Sequence, residues 1–125
     1  VTFEYDSAKV GLFGKAKYET AKLIYGRYPP LGAINYIWES RAPVGTTVPN
    51  PFTDQVYMIV VESGSTKLNT WVTEERNVYE DYKRAFGEEP PPISGVAIMT
   101  DTDNTGESAE AYYGDILFKK DPSSR

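Results

Sequence analysis

The sequence contains neither cysteine nor histidine. Disulfides, Cys- or His-based nucleophile systems, typical zinc sites, histidine-ligated haem and a Ser–His–Asp triad are therefore excluded within this chain. The absence of cysteine does not fix the compartment, because thiol-free domains occur on both sides of a membrane. A basic block is missing too. Thirteen Lys and Arg are scattered among eighteen Asp and Glu, for a net charge of −5. A nucleic-acid binder needs a basic stripe to neutralise phosphates, so that class is set aside, and the acidity is read as solubility. No apolar run approaches the ~18–20 residues of a membrane span. The longest, Val56 to Val61, has the length of a strand. No Gly-rich phosphate loop occurs, and Ser-Gly at 63–64 and 94–95 lacks the surroundings of a nucleophile elbow. No signal peptide is visible. The chain opens on Val1 rather than Met, within a pattern that already alternates, so residues ahead of Val1 are expected to have been removed.

What is present is an aromatic-rich chain of 125 residues with ten Tyr, enough for one packed domain and too short for two. Val1, Phe3 and Tyr5 alternate with Thr2 and Glu4, the period of a half-buried strand. Phe13, Ala16, Thr20, Leu23 and Ile24 recur at near-helical spacing, closed by Gly26 and Pro29. Ala33 to Glu39 reads as a strand with Ile34, Tyr36 and Trp38 on one face. Ala42 to Asp54, with three Pro, one Gly and three Thr, reads as a long loop. Gln55 to Glu62 is apolar on both faces and predicts a central strand.

A short strand carrying Trp71 is predicted over Thr70 to Thr73. A helix is predicted over Asn77 to Phe86, with Asn77 and Glu80 as a capping pair, Val78, Tyr82, Ala85 and Phe86 as its stripe and Gly87 as its stop. Glu88 to Pro92 forms a stiff linker. Strands are predicted over Ile93 to Thr100 and Ala109 to Lys119, joined by a polar loop. About six strands and two helices, arranged as antiparallel hairpins, predict a mainly β fold. The expected form is a jelly-roll-like β-sandwich with two helical insertions, lacking its N-terminal strands. A mixed α+β sheet covered by the helices is the alternative. Residues 1–119 form a single domain on this reading, and 120–125 a frayed tail.

The stretches Pro43 to Pro51 and Met99 to Ile116 carry a family likeness, and over Val1 to about Lys119 the chain resembles the bacterial DUF3047 family, a domain of unknown function. The resemblance implies a secreted β-sandwich with further strands ahead of Val1, and a periplasmic or secreted location. It implies no activity.

Four groups of residues are candidates for function. Asp101, Asp103, Asn104 and Glu107 place oxygen ligands around Gly106, as a calcium loop requires. The likeness to an EF-hand ends at Thr105 and at Tyr112, where a bidentate Glu is expected, and the plainer reading is an Asx-rich turn. Glu62, Glu74, Glu75 and Asp115 are strand-end carboxylates that would suit glycoside hydrolysis if two of them stood ~5–9 Å apart. Arg41 and Arg76 are their natural salt-bridge partners. Trp38, Trp71 and Tyr112 or Tyr113 would stack on sugar rings if exposed together, or fill a core. Asn50 and Asp54 are the polar tips of the long loop, which is either a binding loop or a rigid connection.

Three functions follow. The first is a non-catalytic binding or interaction module of the cell envelope, with a glycan as a candidate ligand. The second is a carboxylate-dependent hydrolase, with calcium as a candidate cofactor. The third is a structural subunit, in which a partner chain or an upstream segment pairs with the strand at Val1. Membrane insertion is not expected.

Overall fold

The computed structural model describes residues 1–102 and 106–120. A five-stranded mixed sheet and two α-helices make the protein mainly β with helical elements. The elements are β1 (Thr2–Phe3), α1 (Leu12–Tyr25), β2 (Gly32–Glu39), β3 (Thr47–Asn50), β4 (Thr53–Ser63), α2 (Val78–Phe86) and β5 (Ile93–Gly95). The strands lie in the order β3-β4-β2-β1-β5. β2 and β4 run parallel, and the other neighbouring pairs are antiparallel.

The core sits between α2 and one face of this sheet. Alternation along β2 puts Ile34 and Tyr36 on that face, and the ladder sets Tyr57 and Ile59 of β4 beside them. Phe3, Ile34, Ile59 and Tyr82 are buried together, with Val1, Tyr36, Val61, Val78 and Phe86 packed around them. Tyr82 meets Phe3 at 4.6 Å between ring centres and Phe86 at 4.4 Å, and Phe86 meets Tyr57 edge-on at 4.9 Å. Burial pushes the Tyr82 phenol up to about 12, with Glu88 and Asp6 adding to the shift.

Local chemistry fixes α2 where the spacing predicts it. The Asn77 side chain accepts a hydrogen bond from the Glu80 N–H at 3.1 Å. Gly87 takes the left-handed conformation and donates its N–H to the Lys83 carbonyl. Glu80 and Asp81 in the first turn and Lys83 and Arg84 in the last suit the helix dipole. Where β2 begins, a Cβ on Gly32 would lie 2.6 Å from the Gln55 carbonyl oxygen, so only glycine admits this approach of β4.

The architecture departs from the expected one in ways that have physical reasons. The described residues form one sheet, closer to the mixed α+β alternative than to a sandwich. The sandwich was inferred from antiparallel hairpins, whereas β2 and β4 are parallel. After β2 the chain crosses β4, descends as β3 at the sheet edge and turns back into β4. β3 lies within the segment read as loop. Its Pro49 is tolerated because an edge strand needs no donor on its open side.

Thr70 to Thr73 and Ala109 to Lys119 carry no strand ladder, and the strand expected to Thr100 ends at Gly95. The predicted first helix forms, yet none of its residues is buried. It attaches through Tyr18, on a face other than the Phe13–Leu23 stripe. Tyr18 stacks on Tyr5 at 4.2 Å between ring centres. The strand at Val1 is not an open edge, because β1 is paired with β2 on one side and β5 on the other. Of the predicted tail, Lys120 alone is described, and 121–125 lie outside the described residues.

Candidate functional site

β2 and β4 end side by side, at Glu39 and Ser63, with their carboxyl ends pointing the same way. A β-bulge brings Glu62 rather than Val61 opposite Trp38. The Trp38 indole is 44% exposed and is held by its Nε1–H, which donates to the Gly64 carbonyl at 2.9 Å. The turn leaving β2 is fixed by Glu39, whose Oε2 accepts from the N–H of Arg41 at 2.7 Å and of Ala42 at 3.0 Å. Those donors, the Ala42 N–H foremost, hold the Glu39 carboxyl below its ordinary range.

Glu62 is a buried carboxylate, 8% exposed, paired with Lys67 Nζ at 3.0 Å. Glu74 hydrogen-bonds to it and, together with Lys67, holds the Glu62 carboxyl low. Glu74 itself is pushed up to about 7, by loss of solvation first and then by its bond to Glu62 and the charge there. The pair thus favours the neutral carboxyl at Glu74 and the charged one at Glu62. Lys67 and Arg76 oppose the upward shift at Glu74.

A second network stands behind this pair. Asp81, 3% exposed, accepts from the Tyr36 hydroxyl at 2.7 Å, from Arg76 Nε at 3.0 Å and from Arg76 Nη2 at 2.8 Å. Arg84 approaches the same carboxylate at 3.8 Å. The Arg76 guanidinium lies 5.8 Å from the centre of the Tyr36 ring. Burial, then the bond to Asp81, pushes the Tyr36 phenol far above its ordinary range, and Asp81 reinforces the charge of Arg76. No buried side-chain nitrogen or oxygen among the described residues lacks a hydrogen-bond partner. The site is a hydrogen-bonded polar cluster with one partly exposed indole beside it.

Of the residues singled out from the sequence, Trp38, Glu62, Glu74 and Arg76 gather here. Trp71 is 73% exposed and lies 3.6 Å from where a Cβ on Gly114 would stand. Tyr112 is exposed and donates to Glu110, while Tyr113 donates to the Met99 carbonyl at 2.7 Å. Asn50 accepts from the Phe52 N–H at 2.8 Å and serves the turn between β3 and β4, while Asp54 accepts from the Gln55 side chain beside it in β4 at 3.2 Å. Asp101 and Glu107 are exposed at the ends of the predicted calcium loop, and Asp103 and Asn104 lie outside the described residues. No group of three or more metal-ligating side chains gathers among the described residues.

Tyr36, Lys67 and Asp81 were not anticipated as site residues. Asp81 left a readable signal. It lies three residues after Val78 and four before Ala85, so it borders the apolar stripe of α2, where an acid demands a partner. Lys67 left none.

The sequence matches the family described as "Protein of unknown function (DUF3047)" over residues 1–117. No curated protein and no solved structure matches the chain.

Proposed function

The chain belongs to the DUF3047 family, and from that footing we propose that it is a non-catalytic binding module whose ligand seat is the carboxyl end of β2 and β4, with a glycan as the ligand. The observation that carries this reading is Trp38: an exposed indole, held by its bond to Gly64 and standing opposite Glu62, itself linked to Glu74, in the ladder. A fixed aromatic plane stacks on the C–H face of a sugar, and carboxyl oxygens beside it accept from ring hydroxyls. The carboxyl ends of parallel strands are also where ligands settle on open sheets.

An exported location, periplasmic or secreted, belongs to the same proposal and rests on the family resemblance. Calcium at Asp101, Asp103, Asn104 and Glu107 rests on the spacing of those residues alone; a thermal melt with and without a chelator tests it. The glycan reading is tested by calorimetric titration of soluble oligosaccharides into the chain and into Trp38→Ala. Binding that the substitution weakens at least tenfold supports it. Equal binding by both proteins rejects this seat.

A further inference from the structure

Helix α1 carries an apolar stripe that the fold does not use. Its half-buried residues, Gly14, Tyr18 and Ala21, recur every three or four positions and form the attached face. Leu12, Phe13, Leu23 and Ile24 lie on the other side, two at each end of the helix, and are 68% to 90% exposed. Ala16 and Thr20, also exposed, continue the stripe between them. Thr20 returns its hydroxyl to the Ala16 carbonyl at 2.9 Å, so the one polar side chain of the stripe is satisfied within the helix. A helix of 14 residues with no buried side chain and no side-chain cap gains little stability by itself.

The charge of this segment is opposite to that of the rest of the chain. Over residues 12–27, Lys15, Lys17, Lys22 and Arg27 stand against Glu19 alone, whereas the remaining residues hold nine cations and seventeen acids. Glu19 accepts from the Tyr28 hydroxyl at 2.7 Å. None of the four cations forms an ion pair with a carboxylate among the described residues. Helical spacing sets Lys17 along one border of the stripe and Lys15 and Lys22 towards the other. Their long stems let the ammonium groups reach past an apolar rim.

We propose that α1 docks on an anionic lipid surface. It lies flat, with Leu12, Phe13, Leu23 and Ile24 among the upper acyl chains and the lysines at the level of the phosphates. Charge complementarity selects this occupant. The basic borders meet anionic headgroups, the stripe takes the apolar layer beneath them, and the acidic remainder of the chain is repelled, which orients the protein. A nucleic acid would offer the charge without the apolar layer. At 14 residues the helix is too short to cross a membrane, so docking is peripheral. The proposal concerns α1 alone and is independent of the glycan reading.

Co-sedimentation of the whole chain with vesicles tests it. The probes are phosphatidylcholine alone and phosphatidylcholine with about one-third phosphatidylglycerol. Binding to the anionic vesicles should be at least about tenfold tighter than to the neutral ones, and should weaken in ~1 M salt. Two double variants, Phe13→Ser with Leu23→Ser and Lys15→Gln with Lys17→Gln, should each bind at least about tenfold more weakly. Both should melt like the parent without vesicles, because these side chains are exposed. No binding to the anionic vesicles would overturn the proposal, as would undiminished binding by the Phe13→Ser, Leu23→Ser chain. A doubled native mass that this double substitution abolishes, without vesicle binding, would overturn it in favour of a second copy. Binding to polyglutamate but not to the vesicles would overturn it in favour of an acidic protein partner. Failure of a chain extended by its natural flanking residues to bind the same vesicles would overturn it in favour of a covering segment of the chain itself.

Discussion

Trp38 faces Glu62 across the parallel β2–β4 ladder, although Ile37 and Val60 set a register that would have put Val61 there. The single-residue bulge sets Glu62, rather than Val61, opposite Trp38 in the ladder. The arrangement at the strand ends depends on that slip, because Glu62 is the group to which Glu74 and Lys67 attach.

The proton on Glu74 makes stability depend on pH. Its carboxyl is raised from an ordinary 4.5 to about 7, so the folded chain holds a proton there that the unfolded chain has already lost. Stability from this group is full below pH 4.5 and falls as pH rises through 7. Glu62, held low, acts oppositely, and its contribution is lost as pH falls below its ordinary range. Glu74→Gln, which keeps a donor to Glu62, should melt like the parent at pH 5 and above it at pH 8. The gain should stay under about 1 kcal/mol, because Glu74 is largely solvated. A gain of equal size at both pH values would contradict the raised Glu74 carboxyl.

Asp81 holds three partners at once, so its removal should cost more than removal of any one of them. Asp81→Asn is expected to lose about 2–3 kcal/mol in denaturant unfolding, and Tyr36→Phe about 1 kcal/mol. Equal losses would mean that Arg76 and Arg84 contribute nothing to the network.

Gly32→Ala puts a methyl group against the Gln55 carbonyl and should cost roughly 2 kcal/mol by forcing β2 and β4 apart. Thermal unfolding is the measure, with Gly11→Ala as the control, since a Cβ there meets nothing within 4 Å.

Asn77→Ala should lose about 1 kcal/mol through the freed Glu80 N–H. Circular dichroism should show fraying confined to the first turn of α2.

Elements governed by neighbouring residues were legible in the sequence. The α2 helix reads from Asn77, its stripe and Gly87, β2 from its alternation and β4 from its run of apolar residues on both faces. The parallel pairing of β2 with β4 was not legible, because it depends on a crossing that no local pattern encodes. Edge strand β3 hid behind Pro49. The Phe13–Leu23 spacing predicted the α1 helix but not its docking, since Tyr18 on another face makes the attachment to Tyr5 and to the Leu31 carbonyl. In the site, Glu62, Glu74 and Trp38 were readable as residue types in suitable places. Their meeting was not, because it depends on a bulge and on a fourteen-residue excursion of the chain from Gly64 to Asn77.

The chain has two tryptophans, so Trp71→Phe leaves Trp38 as the sole indole emitter. Fluorescence titration of that variant with the oligosaccharides that bind the parent tests the central claim most directly. A saturable change in Trp38 emission, with the affinity found by calorimetry, is the predicted result. Calorimetric binding with silent Trp38 emission, while a Trp38→Phe variant responds through Trp71, would contradict the seat at the ends of β2 and β4.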